Sequence, residues 1–317
     1  MMAQTHILTV TLNPALDLSA RVSEMRAGPK LRLSDPVFEP GGGGVNVARA
    51  IHELDGQVTA WVALGGGTGD RHCALLQAQG VNVHPFSAPG DTRQSWAITD
   101  AQGQQFRLQL PGDAWTQADI DRALDDILGQ ARGMVVLSGS QPPGVDGGFA
   151  QRLAHGLGAG RLILDTSGAA LEQVIQTPDP AAHLRVLRLD QTEAEAQAGQ
   201  PLPEIEDVRH FAHTLVARGV AQHICIAHGA NGSVLVGQGV ALHCRPPQVA
   251  VASKVGAGDS FTGAFTLALA RGQDLAQALQ AGTAAAAAAV MTPGTQLCSR
   301  ADVQAVMTEC TLHTLHA

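Results

Sequence analysis

The stretch Ser253–Gly272, SKVGAGDSFTGAFTLALARG, decides how this chain is read. Gly256, Ala257, Gly258 and Asp259 lead directly into an apolar run of small residues at helical spacing, which predicts a tight glycine turn opening a buried helix. Glycines there let successive backbone N–H groups point at one spot, and the helix dipole adds positive potential, so the turn suits an anion. A carboxylate in that place needs a reason. Asp259 is either an N-cap, the usual work of Asp before a helix, or a catalytic base, and spacing alone leaves both open.

Upstream of this turn, short β-branched runs alternate with helix-like stretches: HILTVTL (6–12), VTAWVAL (58–64), GMVVLSGS (133–140), RLILDTSG (161–168), LRVLRLD (184–190) and QHICIAHG (222–229). The alternation predicts an α/β fold, a mostly parallel sheet with helices on both faces. Several runs end in Gly, Ser or Asp, where open α/β sheets place ligand-binding loops. Two segments break the rhythm, 13–36 and 90–111. In the second, TRQSWAITDAQGQQFRLQL (92–110) has the alternation and central turn of a hairpin. These segments are expected to form a small discontinuous β lid and a contact between two subunits, leaving 1–12, 37–89 and 112–317 as the α/β core. An exposed lid sheet would otherwise leave strand edges open.

With 317 residues, 45% of them hydrophobic, the chain can bury a sizeable core. The net charge of −8 argues against a nucleic-acid or anionic-membrane partner. Lys30 and Lys254 are the lysines of the chain, the other cations being arginine. The 5 cysteines are scattered without C-x-x-C spacing and read as reduced thiols. The beginning shows no signal-peptide pattern, which predicts a cytoplasmic protein. The most apolar run, AGTAAAAAAVM from Ala281, falls far short of the roughly 20 residues of a membrane span. It reads as a buried, tightly packed helix.

A second glycine signal is PVFEPGGGGVNVARAI (36–51), in which Gly41 to Gly44 precede Asn46 and an amphipathic helix. Glycines permit close backbone approach to a polar ligand, and Asn46 offers both donor and acceptor. The segment does not fit G-x-G-x-x-G, and the chain has no G-x-x-x-x-G-K-[ST], so dinucleotide-binding and P-loop readings lose support. An NAD-binding dehydrogenase is set aside on that ground.

Taken together, GGGGVNVARAI and VGAGDSFTGAF resemble the two signatures of the ribokinase-like sugar kinases of the phosphofructokinase B type. Within that family the chain is most similar to the group of minor bacterial 6-phosphofructokinase, 1-phosphofructokinase and tagatose-6-phosphate kinase. TLNPALD, PKLR, DTRQS, LSGSQPPGV, DTSGAAL and GTQLCS match as well, so the resemblance covers nearly the whole chain. It implies a ribokinase-like fold and transfer of phosphate from MgATP to a phosphorylated ketohexose. Fructose 6-phosphate is the favoured acceptor, with tagatose 6-phosphate and fructose 1-phosphate as alternatives.

Residue by residue, the resemblance makes Asp259 the general base and the backbone of Gly256, Ala257 and Gly258 the anion hole for the γ-phosphoryl. Asp17, Gly42, Gly43 and Asn46 match sugar-hydroxyl contacts, and Lys30, Arg32 and Arg93 are candidates for the substrate phosphate. The family's asparagine, followed three residues later by a glutamate acting on Mg²⁺ through water, corresponds to Asp190 and Glu193 in LRLDQTEAE. Arg188 and Leu189 replace the usual Lys-Pro. Asp190 would either hold a hydrated Mg²⁺ or repel the phosphates. Gly229 and Gly232 match a loop near the ribose and phosphates. Ser253, Val255, Ala289, Thr292, Gly294 and Gln296 align with a monovalent-cation site, which implies K⁺ as a further cofactor. The altered LRLD stretch also keeps a second class of function open, a non-catalytic sugar-phosphate or nucleotide sensor on the same fold.

Overall fold

The computed structural model describes residues 5–158 and 160–315. Its strands are β1 (Ile7–Thr11), β2 (Ala15–Arg21), β3 (Ser34–Gly41), β4 (Val58–Leu64), β5 (Asn82–Ser87), β6 (Arg93–Thr99), β7 (Gln105–Gln109), β8 (Met134–Ser138), β9 (Leu162–Asp165), β10 (Val186–Leu189), β11 (His223–Ala227), β12 (Ser233–Gly237), β13 (Val240–Arg245) and β14 (Thr311–Thr314). The α-helices are α1 (Gly43–Glu53), α2 (Gly66–Ala78), α3 (Gln117–Gln130), α4 (Phe149–Leu157), α5 (Gly168–Gln176), α6 (Gln191–Ala198), α7 (Ile205–Ala217), α8 (Ala257–Ala270), α9 (Leu275–Val290) and α10 (Arg300–Glu309).

The large sheet runs in the order β14-β13-β12-β11-β10-β9-β8-β1-β4-β5. From β5 to β11 every neighbouring pair is parallel. An antiparallel meander of β12, β13 and β14 extends one edge. The near-continuous apolar runs suit strands buried on both faces. Along β8, Val135 and Leu137 enter one core while Met134 and Val136 enter the other. Ile120, Phe149, Leu153, Leu171, Val174, Val208 and Leu215 of α3, α4, α5 and α7 fill the first core. Val47, Ile51, Leu76, Phe261, Phe265 and Leu279 of α1, α2, α8 and α9 fill the second. The alanine-rich run from Ala281 lies within α9 as far as Val290 and is mostly buried, whereas Met291, just past the helix, is exposed. No helix among the described residues is long and apolar enough to cross a membrane.

The second sheet has the order β3-β2-β6-β7. β6 and β7 form the hairpin expected from 92–110, pairing antiparallel. Its turn is held by the Asp100 carboxylate, which accepts from the N–H groups of Gln102 and Gln104 at 3.0 and 2.8 Å. β2 is antiparallel to β3 and parallel to β6. β3 runs on past residue 36 to Gly41, so this small sheet delivers the chain directly into α1.

Strand order reverses at β1, which has β4 on one side and β8 on the other. Such a reversal opens a crevice at the carboxyl ends of the strands. The start of α1 lies over it: a Cβ on Gly43 would come within 2.4 Å of the Ser138 hydroxyl and 2.6 Å of the Gly139 nitrogen. α1 also packs closely on α8, where a Cβ on Gly263 would be 3.0 Å from that of Ala50. Two glycine-opened helices therefore begin side by side at the crevice.

Candidate active site

Asp259 sits in the first turn of α8 and is not the N-cap, which is Gly256 with φ 78. That left-handed conformation favours glycine, and a Cβ there would also lie 2.7 Å from Leu297 Cδ2. The first N–H groups of α8 have no partner within the helix. Asn46 Nδ2 donates to Asp259 Oδ2 at 3.0 Å. Burial, followed by repulsion from Asp165, pushes the Asp259 carboxyl up to about 7, against the pull of Asn46, Arg188 and Arg49. A carboxyl tuned to neutral pH beside an anion-binding helix start is suited to general base catalysis.

Two side chains brace this turn from the sheet. Asp165, at the end of β9, accepts from Thr262 Oγ1 on α8 at 2.8 Å and from Arg188 NH1 at the end of β10 at 3.4 Å. The Arg188 guanidinium lies against the turn that opens α8, since a Cβ on Gly258 would meet NH1 at 2.9 Å and NH2 at 3.0 Å. Gly258 thus leaves room for a cation that would strengthen the hole.

On the small-sheet side, Asp17 and Glu39 are cross-strand partners. The Asp17 carboxyl is pushed up to about 6, mainly by burial and also by Glu39, against the attraction of Arg93. It lies so close to Gly41 that a Cβ there would fall 2.0 Å from Oδ2. Gly42, with φ 129, is the N-cap of α1, and Asn46 is in its first turns. Arg93 Nε donates to the Asn13 carbonyl at 3.3 Å and NH1 to the Leu110 carbonyl at 3.4 Å. Asn46 thus touches Asp259, Gly42 and Gly43 open the same helix, and Asp17, which lies against Gly41 and is attracted to Arg93, flanks that glycine loop. Lys30 and Arg32 are exposed in the segment between β2 and β3 and make no side-chain hydrogen bond or ion pair with the described residues. Buried His72 on α2 anchors the glycine loop, its Nε2–H donating to the Gly41 carbonyl at 3.0 Å.

On the nucleotide side, Asp190 and Glu193 form a reciprocal capping box at the start of α6. Glu193 N donates to Asp190 Oδ1 and Asp190 N to Glu193 Oε2, both at 2.8 Å. Burial, then the nearby Asp190 and Asp165, raise the Glu193 carboxyl. Glu193 Oε1 is left over from the cap, and a carboxylate crowded by others fits a cation partner. Among the described residues no three His, Cys, Asp or Glu side chains converge in a cluster that could hold a metal ion. Gly229 lies near Gln191, while Gly232 is fixed by structure: a Cβ there would fall 1.9 Å from the Cys244 carbonyl oxygen.

The six residues aligned with a monovalent-cation site come from the loop before α8, the last turn of α9, which holds Ala289, and the loop after it. Ser253 Oγ donates to the Gly294 carbonyl at 2.7 Å, and Thr292 Oγ1 reaches both the Ala289 and Gln296 carbonyls at 2.8 Å. Val255 N donates to Ser253 Oγ at 3.2 Å. These hydrogen bonds tie the two loops to each other and to the end of α9.

Sequence reasoning passed over Glu39, Arg49, Asp165, Thr262 and Thr295. Arg49 had a readable signal, standing three residues after Asn46 on the same helical face. Asp165 ends a predicted strand, the position where sites gather. Glu39 and Thr295 are joined through a contact between distant segments and carried no local signal.

The family model for pfkB family carbohydrate kinases matches residues 9–302. The ATP-dependent 6-phosphofructokinase isozyme 2 of Escherichia coli is 36% identical over 307 residues, 95% of this chain and 97% of that protein. A 1-phosphofructokinase of Xanthomonas campestris is 35% identical over 267 residues, 83% of each chain. Among solved structures, Escherichia coli phosphofructokinase-2 in complex with potassium superposes with a TM-score of 0.87 at 34% identity, over 96% of this chain and 98% of that one. The same enzyme is also known in complex with fructose-6-phosphate and as a tetrameric inhibited form, each with a TM-score of 0.85 and the same coverage. The glycine-opened helices, the carboxyl between them and the ribokinase-like sheet all agree with these likenesses, and the chain belongs to the pfkB family of carbohydrate kinases.

Proposed function

We propose that the chain transfers the γ-phosphoryl group of ATP to the 1-hydroxyl of fructose 6-phosphate, giving fructose 1,6-bisphosphate, ADP and a proton. The observation that carries this reading is Asp259, a carboxyl raised to about 7 at the start of α8 and touched by Asn46 of α1, whose glycine loop Asp17 flanks. Asp259 accepts the hydroxyl proton as the new P–O bond forms and the bond to the ADP oxygen breaks. The N–H groups opening α8, backed by Arg188, take the charge on the equatorial oxygens. Asp17 and Asn46 orient the sugar hydroxyls, with the Gly42 and Gly43 backbone close against the sugar. Arg93, joined by Lys30 and Arg32 from the exposed segment, receives the 6-phosphate.

Arg188, Asp190, Gly229 and Gly232 border the nucleotide. Mg²⁺, when bound, neutralises charge on the β- and γ-phosphates, and Glu193 with Asp190 would hold it through water. A potassium ion, when bound, would add positive potential behind the turn, held by Ser253, Val255, Ala289, Thr292, Gly294 and Gln296. The potassium complex of the Escherichia coli enzyme supports this assignment.

The small sheet is read as a lid and as the contact between two copies in a cytoplasmic homodimer. Phe38, Leu18, Trp96 and Leu108 stand side by side across β3, β2, β6 and β7, on the face opposite Asp17. Leu108 is 47% exposed and Leu110 51%, more apolar surface than a free sheet face usually shows. The tetrameric form of the Escherichia coli enzyme shows that further association occurs in a relative.

The test is the initial rate of ADP release with MgATP against fructose 6-phosphate, tagatose 6-phosphate, fructose 1-phosphate and unphosphorylated fructose. Preference for fructose 6-phosphate supports the proposal. Preference for fructose 1-phosphate would move the reaction to that of the Xanthomonas relative. Binding of ATP and sugar phosphate without turnover would leave the sensor reading.

A further inference from the structure

We infer that Arg49 and Glu39 are positioning residues which fix the orientation of the Asn46 amide, and through it the state of Asp259, and that Thr295 anchors them to the loop after α9. The inference rests on Asp259 being the base, as proposed above. Four links connect these groups. Thr295 Oγ1 donates to Glu39 Oε2. Glu39 Oε1 pairs with Arg49 NH2 at 3.6 Å, the two side chains being only 24% and 15% exposed. Arg49 NH1 donates to Asn46 Oδ1 at 3.1 Å, and Asn46 Nδ2 donates to Asp259 Oδ2 at 3.0 Å.

The direction of the chain follows from donor and acceptor chemistry. Arg49 has only donors, so it must take the oxygen of the Asn46 amide. The NH₂ group is then forced towards Asp259, where it favours the ionised carboxylate that a base requires. Without Arg49, the amide is free to turn its oxygen to the carboxylate, which would repel the charged form. Glu39 prevents Arg49 from swinging to Asp259 or Asp17 directly, both of which attract it. Thr295 in turn holds the second oxygen of Glu39. Asn46 and Arg49 lie three residues apart on one face of α1, so the helix itself sets their spacing.

Asp259 is faced by Asp165 from β9, Arg188 from β10, and Asn46 and Arg49 from α1. Of these, only α1 contributes both a hydrogen bond and a charge, and Arg49 controls the hydrogen bond.

The experiment is a titration of the Asp carboxyl carbons by ¹³C NMR in the whole protein without substrates, with Asp259→Asn identifying the resonance. Arg49→Met is expected to raise the midpoint of Asp259 by about 0.5 to 1 pH unit, and Arg49→Lys to restore at least half of that. Thr295→Val is expected to move it in the same direction by less. At neutral pH kcat of Arg49→Met should fall about 10- to 100-fold, with KM for the sugar phosphate changed less than about threefold. An unchanged midpoint in folded Arg49→Met, or in Thr295→Val should the methionine variant not fold, would overturn the inference. Because the titration uses no sugar, a mistaken substrate assignment would show in the turnover assay and leave this result standing.

Discussion

Asp259→Asn should abolish turnover and make the protein more stable. The side chain keeps its shape and an oxygen to accept from Asn46, but loses a charge that the fold disfavours. In the folded protein this carboxyl lies at about 7, against an ordinary 3.8. Between those values the folded chain holds a proton that the unfolded chain has released, so wild-type stability falls as pH rises through that window. At about 1.36 kcal/mol per pH unit, the whole interval corresponds to an upper limit of about 4 kcal/mol. Relaxation of the surroundings and entry of water reduce this, and about 1 to 3 kcal/mol is expected. For a chain of this length that is a gain in Tm of roughly 2 to 5 °C above pH 7. Scanning calorimetry of both proteins from pH 4 to pH 8 tests it. The gain should be near zero at pH 4, grow through pH 5 and 6, and level off above 7. A gain independent of pH, or a lower Tm for the variant at pH 8, would refute the argument that burial holds Asp259 in a strained ionised state.

Further outcomes follow from the same geometry. Asp165→Asn removes the carboxylate that raises Asp259, so the acid limb of the kcat profile should move about 0.5 to 1 pH unit lower, read from initial rates between pH 5 and 9. Gly258→Ala pushes a methyl group against the Arg188 guanidinium and distorts the anion hole, and kcat should drop about 100- to 1,000-fold with KM for ATP much less affected. Arg93→Ala should raise KM for the sugar phosphate about 10- to 100-fold, the loss of one charge-assisted contact, while kcat at saturation changes little. Leu108→Arg places a charge on the apolar face of the small sheet, so if the proposed homodimer forms through that face, sedimentation at micromolar concentration should show dimer for the natural chain and monomer for the variant.

The parts of this molecule legible in sequence are those set by local chemistry. The β-branched runs at 58–64 and 222–229 announced buried parallel strands because both faces of each strand needed apolar side chains. The turns at Gly42 and Gly256 were visible since glycine is favoured at positive φ. The antiparallel edge of β12, β13 and β14 was not foreseen, because β14 joins the sheet from the far end of the chain and pairs Cys244 with Leu312. The site divides the same way. Asp259 and Asn46 stand in glycine-rich motifs, and Asp17 in the stretch TLNPALD that carries the family resemblance. Asp165, Glu39 and Thr295 acquire their meaning from partners 97, 10 and 256 residues away respectively, separations at which local pattern says nothing about contact except along a helix.

The departure at Arg188 and Asp190 illustrates how a substitution can preserve structure while changing electrostatics. Asn and Asp are comparable N-caps because each offers an oxygen to the N–H three residues on, and Asp190 uses that oxygen to hold Glu193. The cap therefore tolerates the exchange. The charge is a different matter, since a carboxylate at 190 raises Glu193 in addition to burial and adds to Asp165 in the same corner. Arg188 answers part of this excess. It is almost enclosed, pairs with Asp165, and rests its guanidinium on Gly258, where an unbranched ammonium could not contact both at once through a planar fork. The corner still carries three carboxylates, Asp165, Asp190 and Glu193, against one guanidinium, so under the proposed function a triphosphate is expected to bind there only together with a divalent cation, which nucleotide titration with and without Mg²⁺ checks. Under the proposed function the two departures would act as one unit, the arginine keeping the turn at Gly258 attractive to phosphate and the added aspartate strengthening the demand for the accompanying metal, so Asp190→Asn is expected to weaken the Mg²⁺ dependence of nucleotide binding in the same titration.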